Sequence, residues 1–190
     1  MTRFLRQQVR RGFTLIETVI VLAISVLMFM ALTFLIYTFN NTSAYEQTLS
    51  QSSGSASAVV RDVESLTLPA DAVLQTYAFS NATYTSSSTV LVLEIPSIDS
   101  SGNVIPNTYD YAAVYSVGTN AYRLLQSNAL SSRVSGTKLL SSTVSALTFS
   151  YNSADFASVS TTTVDVQTRA QERQNLLTDH ERETMSLRNH

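Results

Sequence analysis

RRGFTLIETVIVLAISVLMFMALTFLIYTFNN, from Arg10 to Asn41, is the stretch whose reading decides the architecture. Its part from Thr18 to Phe39 has 22 residues and no charge. A helix of that length is about 33 Å long, which matches a hydrocarbon core of about 30 Å. Arg3, Arg6, Arg10 and Arg11 all precede it, and all 14 acidic residues follow Gly12. Arginines beside a membrane helix stay on the cytoplasmic side, so the asymmetry predicts a single-pass, N-in, C-out protein in the cytoplasmic membrane. One residue does not fit a plain anchor. Glu17 sits in the first turn of the helix, where a carboxylate costs up to about 2.5–3.5 kcal/mol at mid-bilayer and less near an interface. Charge inside a membrane segment generally has a function.

Three readings compete for this N-terminus. A cleaved secretory signal needs a shorter apolar core and small residues at its end, whereas this run ends in Tyr37-Thr38-Phe39. A signal anchor explains the arginines and the apolar run but not Glu17. The third reading rests on Arg10, Arg11, Gly12, Phe13, Thr14, Leu15, Ile16 and Glu17. This string resembles the leader and N-terminal segment of type IV prepilins and type II secretion pseudopilins. Those proteins have a short basic leader ending in Gly, then Phe, then Glu as the fifth residue of the mature chain. The resemblance implies cleavage between Gly12 and Phe13 by a prepilin peptidase and methylation of the new Phe13 amine. It makes this chain the substrate of that chemistry and a structural protein, not an enzyme. The partners it implies are other pilins or pseudopilins, the prepilin peptidase/methylase, an inner-membrane assembly platform and membrane lipid.

Glu17 has a physical rationale under this reading. Cleavage would place an ammonium four residues before it, and positions i and i+4 share a helix face. A carboxylate in the first turn also complements the helix macrodipole, and opposite charges attract more strongly in lipid than in water. In the family this carboxylate is thought to neutralise the N-terminal amine of a neighbouring subunit during assembly. The competing reading is that Glu17 merely satisfies its own helix N-terminus.

Outside this stretch the chain is mostly uncharged. Of 190 residues, 14% are charged and 44% hydrophobic, and 28 Ser with 23 Thr give 51 hydroxyl side chains. Few charges and many apolar residues exclude a charged disordered tail. A single Lys and a net charge of −2 exclude a basic nucleic-acid domain. Without the four leader arginines, eight basic side chains face fourteen acidic ones, a formal net charge of −6. The absence of Cys excludes a disulfide framework, thiolate metal sites and a Cys nucleophile.

The helix should continue past the membrane, because no Pro occurs before Pro69. Tyr45, Leu49, Ser52, Ala56, Val59, Val63 and Leu66 alternate spacings of four and three, a seam suited to one partner surface. The run Ser50–Ser57 with Gly54 weakens helix propensity and reads as a break or as a close-packing face. After Pro69 the period becomes two. Strands are expected at 73–79, 89–95, 108–117, 121–127, 138–140, 144–151 and 161–168, with a hairpin turn at 118–120. A final strand is expected at 184–188, preceded by a mobile loop at 170–180. The result is an α+β architecture: a leader 1–12, a membrane and assembly helix 13–39, a sheet-covering continuation 40–68 and an antiparallel β domain 69–190.

The back half carries a looser similarity. Tyr122-Arg123-Leu124, Leu139-Leu140, Val144, Leu147–Tyr151, Val164-Asp165-Val166 and Met185–Asn189 follow the motif order of PilW-like minor pilins and J-type pseudopilins. This favours a minor subunit over an abundant filament pilin. Other sites are weak in sequence. Asp99–Asn103 spaces oxygens like part of a calcium loop but lacks the downstream Glu, so it reads as a β-turn. Asn81-Ala82-Thr83 fits a glycosylation triplet that a Thr-rich chain produces by chance. Asp179-His180 lacks the convergence that a triad needs, and His180 reads as a solvated loop residue. Tyr109, Tyr111 and Tyr115 share a strand face, for cross-strand packing or, as the minority reading, for stacking a carbohydrate or DNA. No phosphate-binding loop is present, so no role as an assembly ATPase is expected, and neither is a cofactor or metal.

Overall fold

The computed structural model describes residues 13–172 and 175–188. The Gly12 side of the expected cleavage point lies outside the described residues. Helix α1 spans Leu15–Thr67, 53 residues without interruption. The chain divides into two compact units, one ending at Ala44 and one running from Tyr45 to the C-terminus.

The second unit is α+β. Among the described residues, ten strands follow the helix: β1 (Ala72–Val73), β2 (Thr76–Ala78), β3 (Thr83–Thr85), β4 (Val90–Ile98), β5 (Val104–Val117), β6 (Asn120–Gln126), β7 (Gly136–Ser141), β8 (Val144–Tyr151), β9 (Thr161–Glu172) and β10 (Asn175–Ser186). They form a five-stranded sheet β1-β4-β5-β6-β7, a three-stranded sheet β10-β9-β8 and a small hairpin β2-β3, and every pairing is antiparallel. The β5–β6 turn is the two-residue Gly118-Thr119 loop between paired Val117 and Asn120. Gly118 has φ 61°, a conformation that a Cβ would disfavour.

The alternation of side chains sorts two cores. On one face, Leu91, Leu93 and Ile95 of β4, Ala112 and Val114 of β5 and Leu125 of β6 meet Ala56, Val59, Val60, Val63 and Leu66 of the helix. Leu147 and Phe149 of β8, Val164 and Val166 of β9 and Met185 of β10 complete that core from the second sheet. Each fully buried Val or Leu contributes about 1.5–3 kcal/mol. On the opposite face of the large sheet, Val92, Ala113 and Leu124 are covered by Phe79 and by the β2-β3 hairpin through Tyr77 and Tyr84. The two sheets are tied together where Phe149 N–H donates to the Ser88 carbonyl and Val144 N–H to the Thr119 carbonyl.

Several expectations need correction. The seam begins at Ser52: Tyr45 and Leu49 are 41% and 40% exposed, while Val60 and Thr67 join the buried set. The Ser-rich run does not break the helix. Ser52 and Ala56 are buried there because small side chains let the helix approach the sheet, whereas Gly54 has open space around it. The span 73–79 is divided between β1 and β2, and β3, the short run Thr83–Thr85, lies outside the expected strands. The expected loop 170–180 is the arm of a long hairpin: β9 and β10 pair from Thr161↔Ser186 to Glu172↔Asn175. Polar residues alternate there with Val164, Val166, Leu177 and Met185, which face the core. His180 is therefore a strand residue.

Candidate functional site

The N-terminal segment begins with a cap. Thr14 precedes the helix, and its N–H and Oγ1 both donate to Glu17 Oε2 at 2.8 Å, while Glu17 N–H donates to Thr14 Oγ1 at 3.3 Å. This is a capping box, Thr-x-x-Glu, in which two side chains satisfy the first amides of the helix. The sequence Thr14-Leu15-Ile16-Glu17 before an apolar run is its readable signal. Phe13 precedes the helix and is 83% exposed, so Phe13 and Glu17 do not share a helix turn in this chain.

From Leu15 to Phe39 large apolar side chains surround the helix on all sides and stay exposed. A helix exposed and apolar all round matches a lipid environment. Its hydroxyls are satisfied locally: Thr18, Ser25, Thr33 and Thr38 each donate to the carbonyl four residues earlier, at 2.8–3.2 Å. A bilayer offers no water to such groups, so this internal pairing is what a membrane helix requires. The helix is long and apolar enough to cross a membrane.

The other sequence candidates resolve into structural roles. Asp99 folds back on its own turn, with Oδ1 accepting from Ser101 N–H at 2.8 Å and Asn103 N–H at 2.9 Å. Hydrogen bonds from the Asn103 amide first, and from the Ser101 amide, the Asn103 side chain and the Gly102 amide, outweigh desolvation and hold its carboxyl below the usual range. Its ligand oxygens are thus committed to the turn. Tyr77 stacks on Tyr111 at 3.8 Å, Tyr84 packs on Tyr115 at 4.8 Å, and Tyr122 follows at 5.8 Å from Tyr115. These rings pack on one another, the cross-strand reading. Burial, with the Tyr84 hydroxyl bond, pushes Tyr115 up to about 12. His180 Nε2 lies 2.8 Å from Asp165 Oδ1 across the β9-β10 hairpin, and among the described residues no hydroxyl is bonded to His180. It is 53% exposed at its side chain. Asn81 lies in the turn between β2 and β3.

One buried cluster escaped the sequence reading. Asp110 is fully buried on β5, and its carboxylate accepts from Ser97 Oγ (2.8 Å), Asn128 N–H (2.8 Å), Ser131 Oγ (2.7 Å) and Arg133 Nη1 (2.7 Å). Arg133 also reaches the Pro96 carbonyl. Burial alone would raise the Asp110 carboxyl, but the bonds from the Asn128 amide, Ser131, Arg133 and Ser97 outweigh it and hold it below the usual range. The cluster fixes the β6–β7 loop and the irregularity between Pro96 and Ile98. Its donors come from positions 97, 128, 131 and 133, a spacing with no local pattern.

Residues 8–33 match the family model described as the prokaryotic N-terminal methylation motif. No curated protein and no solved structure matches the chain. The matched segment contains the capping box and most of the apolar run. Residues 8–33 thus carry a type IV prepilin-like N-terminal methylation motif, at the head of a helix long and apolar enough to cross a membrane.

Proposed function

We propose that this chain is a minor pilin-like structural subunit of a type IV pilus, acting in its initiation, at its tip or in its assembly. The observation that carries the reading is the methylation motif at residues 8–33, with a carboxylate in the first turn of an apolar helix. The domain plan that goes with it is a leader 1–12, an assembly helix 13–39, a continuation 40–68 and a β domain 69–190. Prepilin peptidase cuts after Gly12, the Phe13 amine is methylated, and Glu17 meets the amine of a neighbouring subunit. The protein waits in the cytoplasmic membrane, N-in and C-out, before it enters a filament with the help of an inner-membrane platform. The back-half similarity to PilW-like proteins supports a minor position.

The pseudopilin of a type II secretion system is the second reading, supported by the J-type likeness of the same back-half residues. A receptor or adhesin that never polymerises is the third. Neighbouring genes separate the first two, through a retraction motor or a secretion-specific platform. Mass spectrometry of the protein from its native host tests the shared core of both. The expected N-terminus is methylated Phe13; an intact Met1, in cells with active prepilin peptidase, would overturn the reading.

A further inference from the structure

Strand β10 is twelve residues long, pairs with β9 on one side and, among the described residues, has no strand on its other side. The remaining sheet edges are short or engaged. β1 has two residues, β7 has six with a register shift, and β8 is bonded to Ser88 and Thr119 of the other sheet's connections. In an antiparallel ladder every second residue turns its N–H and C=O away from its partner, so β10 offers about six such residues to an incoming strand. A long edge of this kind must be either defended or used.

Its side chains indicate by what. Asp179, Glu181 and Glu183 alternate on the same strand face as Leu177 and Met185 and are partly buried. Glu181 accepts from Ser57 Oγ at 2.7 Å. Among the described residues, the side chains of Asp179 and Glu183 have no hydrogen-bond or ion-pair partner. A second copy pairing edge to edge about a two-fold axis must set residues of the same face opposite each other. Every register centred on positions 179 to 183 then puts an acid opposite an acid. The contacts are Asp179 on itself, Asp179 on Glu181, Glu181 on itself, Glu181 on Glu183, or Glu183 on itself. Like charges directly opposite destabilise a strand pair. The same spacing suits a strand with cationic side chains at alternate positions.

We propose that the free edge of β10 is a strand-addition site that rejects a second copy of this chain and accepts an extended segment of a different protein bearing Lys or Arg at alternate positions. Backbone bonds supply the affinity in such a contact, and alternate side chains supply the selectivity. The proposal goes beyond the filament reading and does not depend on it.

The test uses the full-length protein in its native membrane. The chain has no cysteine, so Thr184→Cys, on the exposed face of β10, can carry a single maleimide photo-crosslinker, with exposed Ser101→Cys as control. The expected result is a crosslink to a non-identical protein from position 184 at least tenfold above position 101, mapping to an extended segment with alternating Lys or Arg. Adding Asp179→Lys and Glu183→Lys should reduce it at least tenfold at equal protein level. If that variant does not accumulate, Asp179→Asn with Glu183→Gln should still reduce it several-fold. Crosslinks only to the chain itself, equal yields at the two positions, a mapped segment without alternating cations, or insensitivity to both charge changes would each overturn the proposal. A charge-dependent crosslink in a protein whose N-terminus is not Phe13 would leave it standing while removing the filament reading.

Discussion

Thr168 Oγ1 and Ser52 Oγ lie 2.9 Å apart, although 116 positions separate them in the chain. Thr168 also donates to the Ser52 carbonyl at 3.1 Å, so its one proton is used there and Ser52 supplies the proton between the two hydroxyls. Both residues are buried. This pair marks where the helix docks on the three-stranded sheet, and the other fully buried helix residues, Ala56, Val59, Val60, Val63, Leu66 and Thr67, lie C-terminal to it.

The first prediction follows from that docking point. A chain starting at Asn40 keeps Ser52, Ala56, Val59, Val60, Val63 and Leu66 and should be soluble and folded. A chain starting after Pro69 exposes the core that they cover and should aggregate or unfold. In the Asn40 form, Thr168→Val leaves the Ser52 hydroxyl buried without a partner and should cost about 1–3 kcal/mol. Urea titration followed by circular dichroism reads both effects. A Thr168→Val midpoint equal to that of the parent chain would contradict the assigned role of the pair.

The second concerns acid. The Asp110 carboxyl is held below its ordinary value, with burial opposed by four hydrogen-bond donors. A depressed carboxyl contributes stability that is complete above the unfolded value of about 3.9 and is lost as pH falls through the lower folded value. The denaturation midpoint should therefore carry little Asp110 dependence from pH 7 to about 5 and an acid-labile component below about pH 4. Asp110→Asn removes the charge opposite Arg133 and should cost about 3 kcal/mol at pH 7. That is the low end for a broken buried pair, because the Arg133 side chain keeps 20% of its surface in water. The variant should also lose that acid-labile component. Equal pH profiles for the two proteins would refute the cluster's role.

These two clusters show where sequence stopped being legible. The helix was readable because charge absence, apolar length and the lack of Pro are local properties, and its observed bounds, Leu15–Thr67, reflect them. The hairpin at Gly118 was readable because a two-residue turn needs a left-handed residue. The β9-β10 hairpin was not, since Arg169, Gln171, His180 and Arg182 hide the alternation of Val164, Val166, Leu177 and Met185 behind a polar outer face. Asp110 was opaque for another reason: its donors are assembled by tertiary folding from β4 and the β6–β7 loop. At the N-terminus, the spacing of Gly12, Phe13 and Glu17 was visible, yet Thr14 was not recognised as the residue that holds Glu17.

The third prediction addresses processing. Gly12→Val adds a branched side chain at the residue before the proposed cut, where the peptidase must approach the backbone closely. The variant should accumulate as the uncut form, heavier by residues 1–12, with its membrane insertion unchanged. Immunoblotting of membranes for a size shift, with intact mass, checks it. Efficient production of the Phe13 N-terminus from this variant would show that the cut does not depend on Gly12.

The last prediction separates a cap from an assembly contact at Glu17. Within one chain, both Thr14 donors use Glu17 Oε2, and among the described residues Oε1 has no hydrogen bond. One oxygen thus holds the helix N-terminus, and the other is the one that the proposed assembly contact would use. Glu17→Gln keeps a group able to close the capping box but removes the charge. Thr14→Val removes the capping hydroxyl but keeps the charge. If Glu17 acts only as a cap, Thr14→Val should be the more damaging change and Glu17→Gln nearly silent. If its charge serves assembly, Glu17→Gln and Glu17→Ala should both leave cleavage, insertion and the outer domain intact. They should then lower the ratio of assembled to membrane-held protein at least about tenfold, since a neighbour's ammonium left unpaired in a low-dielectric setting costs several kcal/mol. Glu17→Asp, with its charge kept and its reach shortened, should fall between. The measurement is mature protein in sheared or crosslinked filaments against that in the membrane. Equal ratios for the parent chain and Glu17→Gln would leave the carboxylate with its cap alone, and a plain membrane anchor would then be the better account.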